Sequence, residues 1–374
     1  MKRFSIGPRP DYKAKIERLG FDFHSDYWCE QAYYAISPEE VETLEEATRE
    51  AYRMYCEAAS YVIERAPDFM MRILGIPDIV CERIQASWNN DDLSLYGRFD
   101  FMLDENGIPK ILEFNADTPT SLLEASVIQW EWKEDLFPQH DQYNGIHEGL
   151  VQSWKDMFPE GCEIHFAGAL DNNEDTGNLQ YLASTAMEAG FSTRVLDINA
   201  LNLQDGVFYD PSGERIHRCF KLYPWEWMME ESPEGCVADV HWIEPLWKLV
   251  MSNKAILSIV SQLFPNSPYI LPAHLSRPRS GTYCKKPVYS REGHNISVVE
   301  IAEWNEKAIQ PETAGDYGNQ AYVYQEYLKP TAYNGRYPVI GSWIIGGEAA
   351  GIGIRESKSE ITDNLSEFIP HIIE

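Results

Sequence analysis

Two alternating runs, Arg98-Phe99-Asp100-Phe101-Met102-Leu103 and Ile108-Pro109-Lys110-Ile111-Leu112-Glu113-Phe114-Asn115, flank the polar turn Asp104-Glu105-Asn106-Gly107. Alternation on both sides of such a turn predicts a β-hairpin, and each of its strands must bury one face. With Leu103 set opposite Ile108, Arg98 pairs with Glu113 and Asp100 lies diagonally close. Arg98, Asp100, Glu113 and Asn115 then share one face, while Phe99, Phe101, Leu103, Leu112 and Phe114 take the other. Two carboxylates and an amide oxygen suit Mg²⁺, and a guanidinium suits a phosphate oxygen. The alternative is an amphipathic hairpin with a solvated face and a surface salt bridge. A one-residue slip in register scatters the polar set.

Composition narrows the partners. Apolar residues make up 44% of the 374 positions and aromatics 13%, which excludes a disordered chain. No apolar run approaches the ~20 residues that span a bilayer. The first ten residues are basic with no apolar stretch after them, so no signal peptide is expected. Seven cysteines lie far apart with no Cys-x-x-Cys pair, which indicates neither a zinc site nor a disulfide framework and places the chain most simply in the reducing cytoplasm. Against 31 basic residues stand 59 acidic ones, a formal charge of −28. That field argues against nucleic acid and anionic membranes as partners. It favours a cationic substrate such as a polyamine, with solubility as the plainer explanation.

Along the chain, Ser37-Pro38-Glu39-Glu40 reads as an N-cap, a first-turn proline and acids at the positive end of a long helix running to Ala66. Val41, Leu44, Ala47, Ala51, Tyr55 and Ala58 recur along it at helical spacing. A second, shorter helical stretch precedes the hairpin, and a further helix entry is expected at Ser121-Leu122-Leu123. Glu163–Ala167, Asn178–Ala189 and Ser192–Asp197 read as a β-α-β unit, and the acidic loop 171–175 opens at the first strand's carboxyl end, where open α/β sheets bind ligands. Its acidity argues against phosphate there. The spacing predicts one helix over Leu246–Leu263, carrying Lys254. Strands follow at 283–289, 296–300 and 321–328, and a hairpin joins 342–345 to 350–355 through Gly346-Gly347-Glu348-Ala349.

Arg98-Phe-Asp100, Glu113-Phe-Asn115-Ala-Asp117, Asn253-Lys254-Ala255-Ile256-Leu257, Lys286-Pro287, Tyr324-Gln325 and the glycine hairpin ending at Arg355 occur in one order over nearly the whole chain. Together they resemble the ATP-grasp synthetase domain of the glutathionylspermidine synthase family, most closely its stand-alone bacterial members without an amidase domain. The resemblance implies an α+β, circularly permuted ATP-grasp fold with a pre-ATP-grasp α/β subdomain. Its segments would be 1–120 (helical part and metal hairpin), 121–244 (substrate subdomain) and 245–374 (nucleotide lobe with lid and C-terminal strands). It implies Asp100, Glu113 and Asn115 as Mg²⁺ ligands and Arg98 on the reacting phosphoryl group. Lys254 and Lys286 would hold the α- and β-phosphates. Ser290 and Gly293 would belong to a phosphate-covering lid, which here lacks the family's glycine near its start and reads Val288-Tyr289-Ser290 instead. Gln325, Glu326 and Leu328 would lie at the adenine hinge, and Arg355 would stabilise an oxyanion or, alternatively, pair with a structural carboxylate. Thr118, Thr120, Glu226, Arg291 and Asp363 would face the substrates.

The activity implied is an ATP- and Mg²⁺-dependent carboxylate–amine ligase working through an acyl phosphate, with small-molecule substrates: a glutathione-like peptide thiol as acid and a polyamine or other amine as acceptor. Two other readings are a catalytically inactive nucleotide or small-molecule binder on the same fold, and a metal-dependent hydrolase built on the same carboxylates, which has no use for Lys254, Lys286 or the lid.

Overall fold

A computed structural model describes residues 1–23, 27–159, 161–291, 293–303, 305–361 and 366–374. Its longest element, the helix Pro38–Arg65, starts where expected. Glu40 N donates to Ser37 Oγ (3.3 Å) and Ser37 N donates to the Glu40 carboxylate (2.9 Å), a reciprocal cap. Its apolar stripe lies on the hairpin, with Tyr55 edge-on to Phe99 and Phe114 at ring-centre distances of 5.3 and 5.4 Å. Phe99 and Phe114 stack on each other at 3.9 Å. Burying each such ring contributes on the order of 2–3 kcal/mol.

The hairpin strands are Tyr96–Leu103 and Pro109–Asn115, and their register corrects the sequence reading. Leu103 faces Pro109 rather than Ile108, a slip of one residue. A bulge then inserts Leu112, after which Asp100 faces Glu113 and Arg98 faces Asn115. The bulge restores the alternation that the slip had broken. Arg98, Asp100, Glu113 and Asn115 therefore do border one cavity, but so does Leu112, which was assigned to the core face. Ile111 takes the core position instead and is fully buried.

This hairpin occupies one side of a five-stranded antiparallel sheet ordered Glu367–Ile369, Glu348–Ser357, Tyr337–Ile345, Tyr96–Leu103, Pro109–Asn115. The C-terminal hairpin, turned by Gly346 and Gly347 at positive φ, thus closes the open edge of an N-terminal one. Lys2–Ser5, Ala32–Ile36 and His371–Ile373 form a three-stranded sheet beside it. Hydrogen bonding therefore cuts across the expected 245–374 segment, because Ile340–Ile345 pair with Tyr96–Phe101 and His371–Ile373 with Tyr34–Ile36.

A four-stranded parallel sheet (His241–Ile243, Arg218–Leu222, Glu163–Gly168, Ser192–Asp197) carries the β-α-β unit. Its helix starts at Asn173 rather than Asn178, since Asn172 accepts from the backbone N–H of Glu174 and Asp175. Another five-stranded sheet (Ala273–His274, Tyr322–Glu326, Gly281–Pro287, Ser297–Ala302, Asn305–Gln310) includes Asn305–Gln310, a strand the polar sequence did not announce. The single helix expected over Leu246–Leu263 is two, Leu246–Val250 and Ile256–Leu263. Asn253 breaks it: its side chain donates to the carbonyls of Leu249 and Val250 and accepts from Ile256 N–H, which leaves Lys254 in the gap. Among the described residues no helix is long and apolar enough to cross a membrane.

Candidate active site

Two walls of the hairpin and strands from three sheets enclose a cavity of about 380 Å³. Arg98, Asp100, Glu113, Asn115, Thr118, Thr120, Lys286, Arg291, Gly293, Gln325, Glu326, Leu328 and Arg355 all line it. Lys254, Ser290 and Glu226 line a pocket of about 30 Å³ that shares Glu113, Asn115, Thr118 and Arg291 with the larger one. Asp363 falls outside the described residues.

The start of the first hairpin strand is pinned from below. Glu244, fully buried, accepts from the backbone N–H of Leu95 and Tyr96 (3.0 Å each) and pairs with Lys248 (3.1 Å). Above that anchor Arg98 turns into the cavity. Its Nε and Nη2 donate to the two Asp100 oxygens (2.7 and 3.1 Å), and its Nη1 donates to Thr120 O (2.6 Å). Burial opposes the charge, but Asp100 outweighs it and holds the guanidinium above its ordinary range. Asn115 donates to Asp100 (3.3 Å), leaving its amide oxygen for another partner. Gly341 faces Asp100 across the sheet, and a Cβ there would come within 2.8 Å of Arg98 Cδ. Only a glycine leaves the guanidinium room to lie over Trp343, 5.8 Å from its ring centre.

Lys254 Nζ sits 2.9 Å from Glu113 and donates to Ser290 O (2.7 Å). Lys286 Nζ donates to Gln325 Oε1 (2.8 Å) and to Leu112 O (3.1 Å), so the bulged residue's carbonyl helps to seat it. Burial alone would raise the Glu113 carboxyl, yet Lys254 and Lys286, with Arg98 behind them, hold it below its ordinary range. The hinge segment is held by its own backbone: Glu326 N donates to Pro272 O and Tyr327 N to Thr282 O. Gly293, at φ 71, turns the segment beyond Arg291. Val288 and Tyr289, at the start of the expected lid, are anchored: Val288 is buried and Tyr289 Oη donates to Leu74 O (3.1 Å). Arg355 lies over the Tyr27 ring at 5.5 Å.

Several residues of the site escaped the sequence reading. Glu174 and Asp175, judged only as unsuited to phosphate, line the cavity with Asn172. Gly341 and Trp343 do so too, and their role depends on the Arg98 side chain lying against both, which spacing could not show. Glu124 is fully buried in a π-helical turn, Glu124–Ile128, with no hydrogen-bond partner for either oxygen among the described residues. Burial first and Glu174 second push its carboxyl up to about 8. A carboxylate inside a predicted helix start was a signal that could have found it.

Among the described residues no three His, Cys, Asp or Glu gather as a metal cluster. The set here is two carboxylates and an amide oxygen, all hard oxygen donors on a concave face, which fits a magnesium ion that keeps waters of its own.

A family model described as glutathionylspermidine synthase preATP-grasp matches residues 3–374. The chain belongs to that family. A Haemophilus influenzae protein named as an acid–amine ligase is 36% identical over 99% of both chains. Trypanothione synthetase of Crithidia fasciculata is 29% identical over 84% of this chain and 52% of its own length. The bifunctional glutathionylspermidine synthetase/amidase of Escherichia coli is 26% identical over 91% and 59%. The chain thus spans little more than half of those two relatives. A solved glutathione synthetase-like effector of Globodera pallida covers 99% of this chain with a TM-score of 0.57 at 9% identity, a likeness of fold alone. The glutathionylspermidine synthase family member described here is an α+β ATP-grasp protein and an enzyme of the ATP-dependent carbon–nitrogen ligase class.

Proposed function

We propose that the chain joins a glutathione-like peptide acid to a polyamine or another amine, with ATP·Mg²⁺ driving the step through an acyl phosphate. The observation that carries this is the convergence of Arg98, Asp100, Glu113, Asn115, Lys286 and Arg355 on one cavity, with Lys254 salt-bridged to Glu113. Asp100, Glu113 and Asn115 would hold magnesium, which when bound screens phosphate charge and orients the transferring group. Arg98 is fixed on Asp100 with its guanidinium toward the cavity and would neutralise charge on the γ-phosphoryl group as it passes to the acid. Lys254 and Lys286 would neutralise the remaining phosphates, and Gln325, Glu326 and Leu328 would border the base. Arg355 would then stabilise the oxyanion formed when the amine attacks.

Glu174 and Asp175 supply negative charge to the same cavity, the sign an ammonium-bearing acceptor needs. Thr118, Thr120, Arg291 and Glu226 offer hydroxyl, cationic and anionic contacts suited to a zwitterionic peptide. The relatives' names, which specify glutathionylspermidine and trypanothione synthesis, support the substrate classes. The test is phosphate release from ATP with glutathione, spermidine, both, or neither. Release that needs both substrates agrees with the proposal. Release with no acid present, or equal release without any amine, speaks against it.

A further inference from the structure

The loop leaving the metal hairpin carries a third carboxylate, one that the ligase reading does not use. Asp117 follows Asn115 by two positions and precedes Thr118. Its Oδ1 accepts from Lys221 Nζ (2.6 Å) and its Oδ2 from Trp225 N (2.7 Å). Lys221 Nζ also donates to Tyr223 O (2.9 Å) and lies 4.0 Å from the centre of the Trp225 ring. Both charged side chains are almost wholly hidden, at 1% and 0% exposure. Such a pair is weak evidence for stability, because replacing one by apolar side chains of similar volume is often neutral or stabilising. What an ion pair adds is direction, because each hydrogen bond fixes a distance and an angle.

The contacts form a closed circuit. Lys221, Tyr223 and Trp225 lie where the strand Arg218–Leu222 turns into the helix Trp225–Glu231. That turn gives Leu222, Tyr223, Pro224 and Trp227 to the cavity wall. The next residue along, Glu226, accepts from Arg291, and Arg291 in turn donates to Thr118 Oγ1 (3.0 Å). The path thus leaves the hairpin at Asp117 and returns to it at Thr118. It ties the parallel sheet and the segment after Pro287 to a point beside a metal-ligand candidate.

We propose that Asp117 and Lys221 are positioning residues: their buried pair sets the substrate-side wall, Tyr223 to Trp227 with Arg291, at a fixed distance from the phosphoryl-transfer end of the cavity. The inference rests on the ligase reading for what the wall holds, but not for the wall's position. Asp117→Asn keeps the shape and one acceptor. The double variant Asp117→Leu with Lys221→Met replaces the pair by apolar packing.

Hydrogen exchange of peptides covering 222–231 and 288–291 reads the wall directly. In both variants exchange there should rise about tenfold, while the helix Pro38–Arg65 keeps its protection. With glutathione and spermidine as probes, the KM for glutathione should rise about tenfold and that for ATP should stay within about threefold. The double variant also leaves Trp225 N–H and Tyr223 O without these partners, so its urea midpoint should fall modestly below the parent's. A double variant with unchanged exchange and unchanged KM values overturns the proposal, and so does unchanged exchange in Asp117→Asn if the double variant does not fold. Should the parent release no phosphate with these substrates, the ligase reading fails on its own, and the exchange measurement still decides the role of the pair.

Discussion

Replacing Glu124 by Gln tests the electrostatics of the buried turn Glu124–Ile128. In the folded chain burial, with a push from Glu174, raises the Glu124 carboxyl from 4.5 to about 8. Below the unfolded value both states hold the proton, and the group has no pH effect. Between 4.5 and about 8 the unfolded chain releases a proton that the folded chain keeps, so stability falls as pH rises. The slope is at most about 1.4 kcal/mol per pH unit, so from about pH 5.5 to about pH 7.5 the group removes up to about 3 kcal/mol. Some relaxation around the charged form reduces this, and about 2 kcal/mol is the working figure. Glutamine does not titrate. The stability of Glu124→Gln relative to the parent should therefore rise by that amount across the interval, whatever constant difference its amide introduces. Urea unfolding at four pH values measures it, because every other group cancels in the difference. A difference that is flat with pH would falsify the assignment of a neutral Glu124.

Asp100→Ala and Glu113→Ala should each weaken calorimetric binding of a non-hydrolysable ATP analogue with Mg²⁺ by at least about tenfold, and unchanged affinity in both removes the metal site. Arg98→Lys keeps the charge but loses the two-point grip on Asp100; turnover should fall about a hundredfold with little change in affinity for the analogue, and a loss of affinity alone contradicts the phosphoryl role. Gly341→Ala places a methyl 2.8 Å from Arg98 Cδ, so turnover should drop while unfolding changes by only about 1–3 kcal/mol; wild-type turnover would show that the guanidinium has room to spare. Lys254→Met frees Glu113 from its 2.9 Å ion pair, so Mg²⁺ alone should bind more tightly and the ATP analogue less tightly; shifts of the same sign count against Lys254 as a phosphate ligand.

Local rules carried some of this chain a long way. The capping residues Ser37 and Glu40 and the stripe through Tyr55 located a helix whose limits the structure repeats almost to the residue, since each signal acts within a turn or two. Ser192–Asp197 was legible for the same reason. The break at Asn253 was not: its apolar pattern continues through, and only the side chain's own hydrogen bonds stop the helix. The extra strand Asn305–Gln310 hid behind mostly exposed, polar residues, because an edge strand needs a partner more than it needs an apolar face.

The hairpin shows most clearly where sequence reading stops. Its two polar strand faces could be listed from alternation, but alternation fixes parity and not register. The structure breaks parity at Leu112 and restores it at Glu113, and the reason lies on the neighbouring sheet: the carbonyls of Ile111 and Leu112 accept from Gln325 (2.9 Å) and Lys286 (3.1 Å). A regular strand would alternate those two carbonyls to opposite sides. The bulge therefore does two jobs at once, turning both acceptors toward the sheet that carries Lys286 and returning Glu113 to the cavity face beside Asp100. A site assembled in this way is encoded by pairs of residues on different sheets, and the pairs acquire their meaning only once the strands have met.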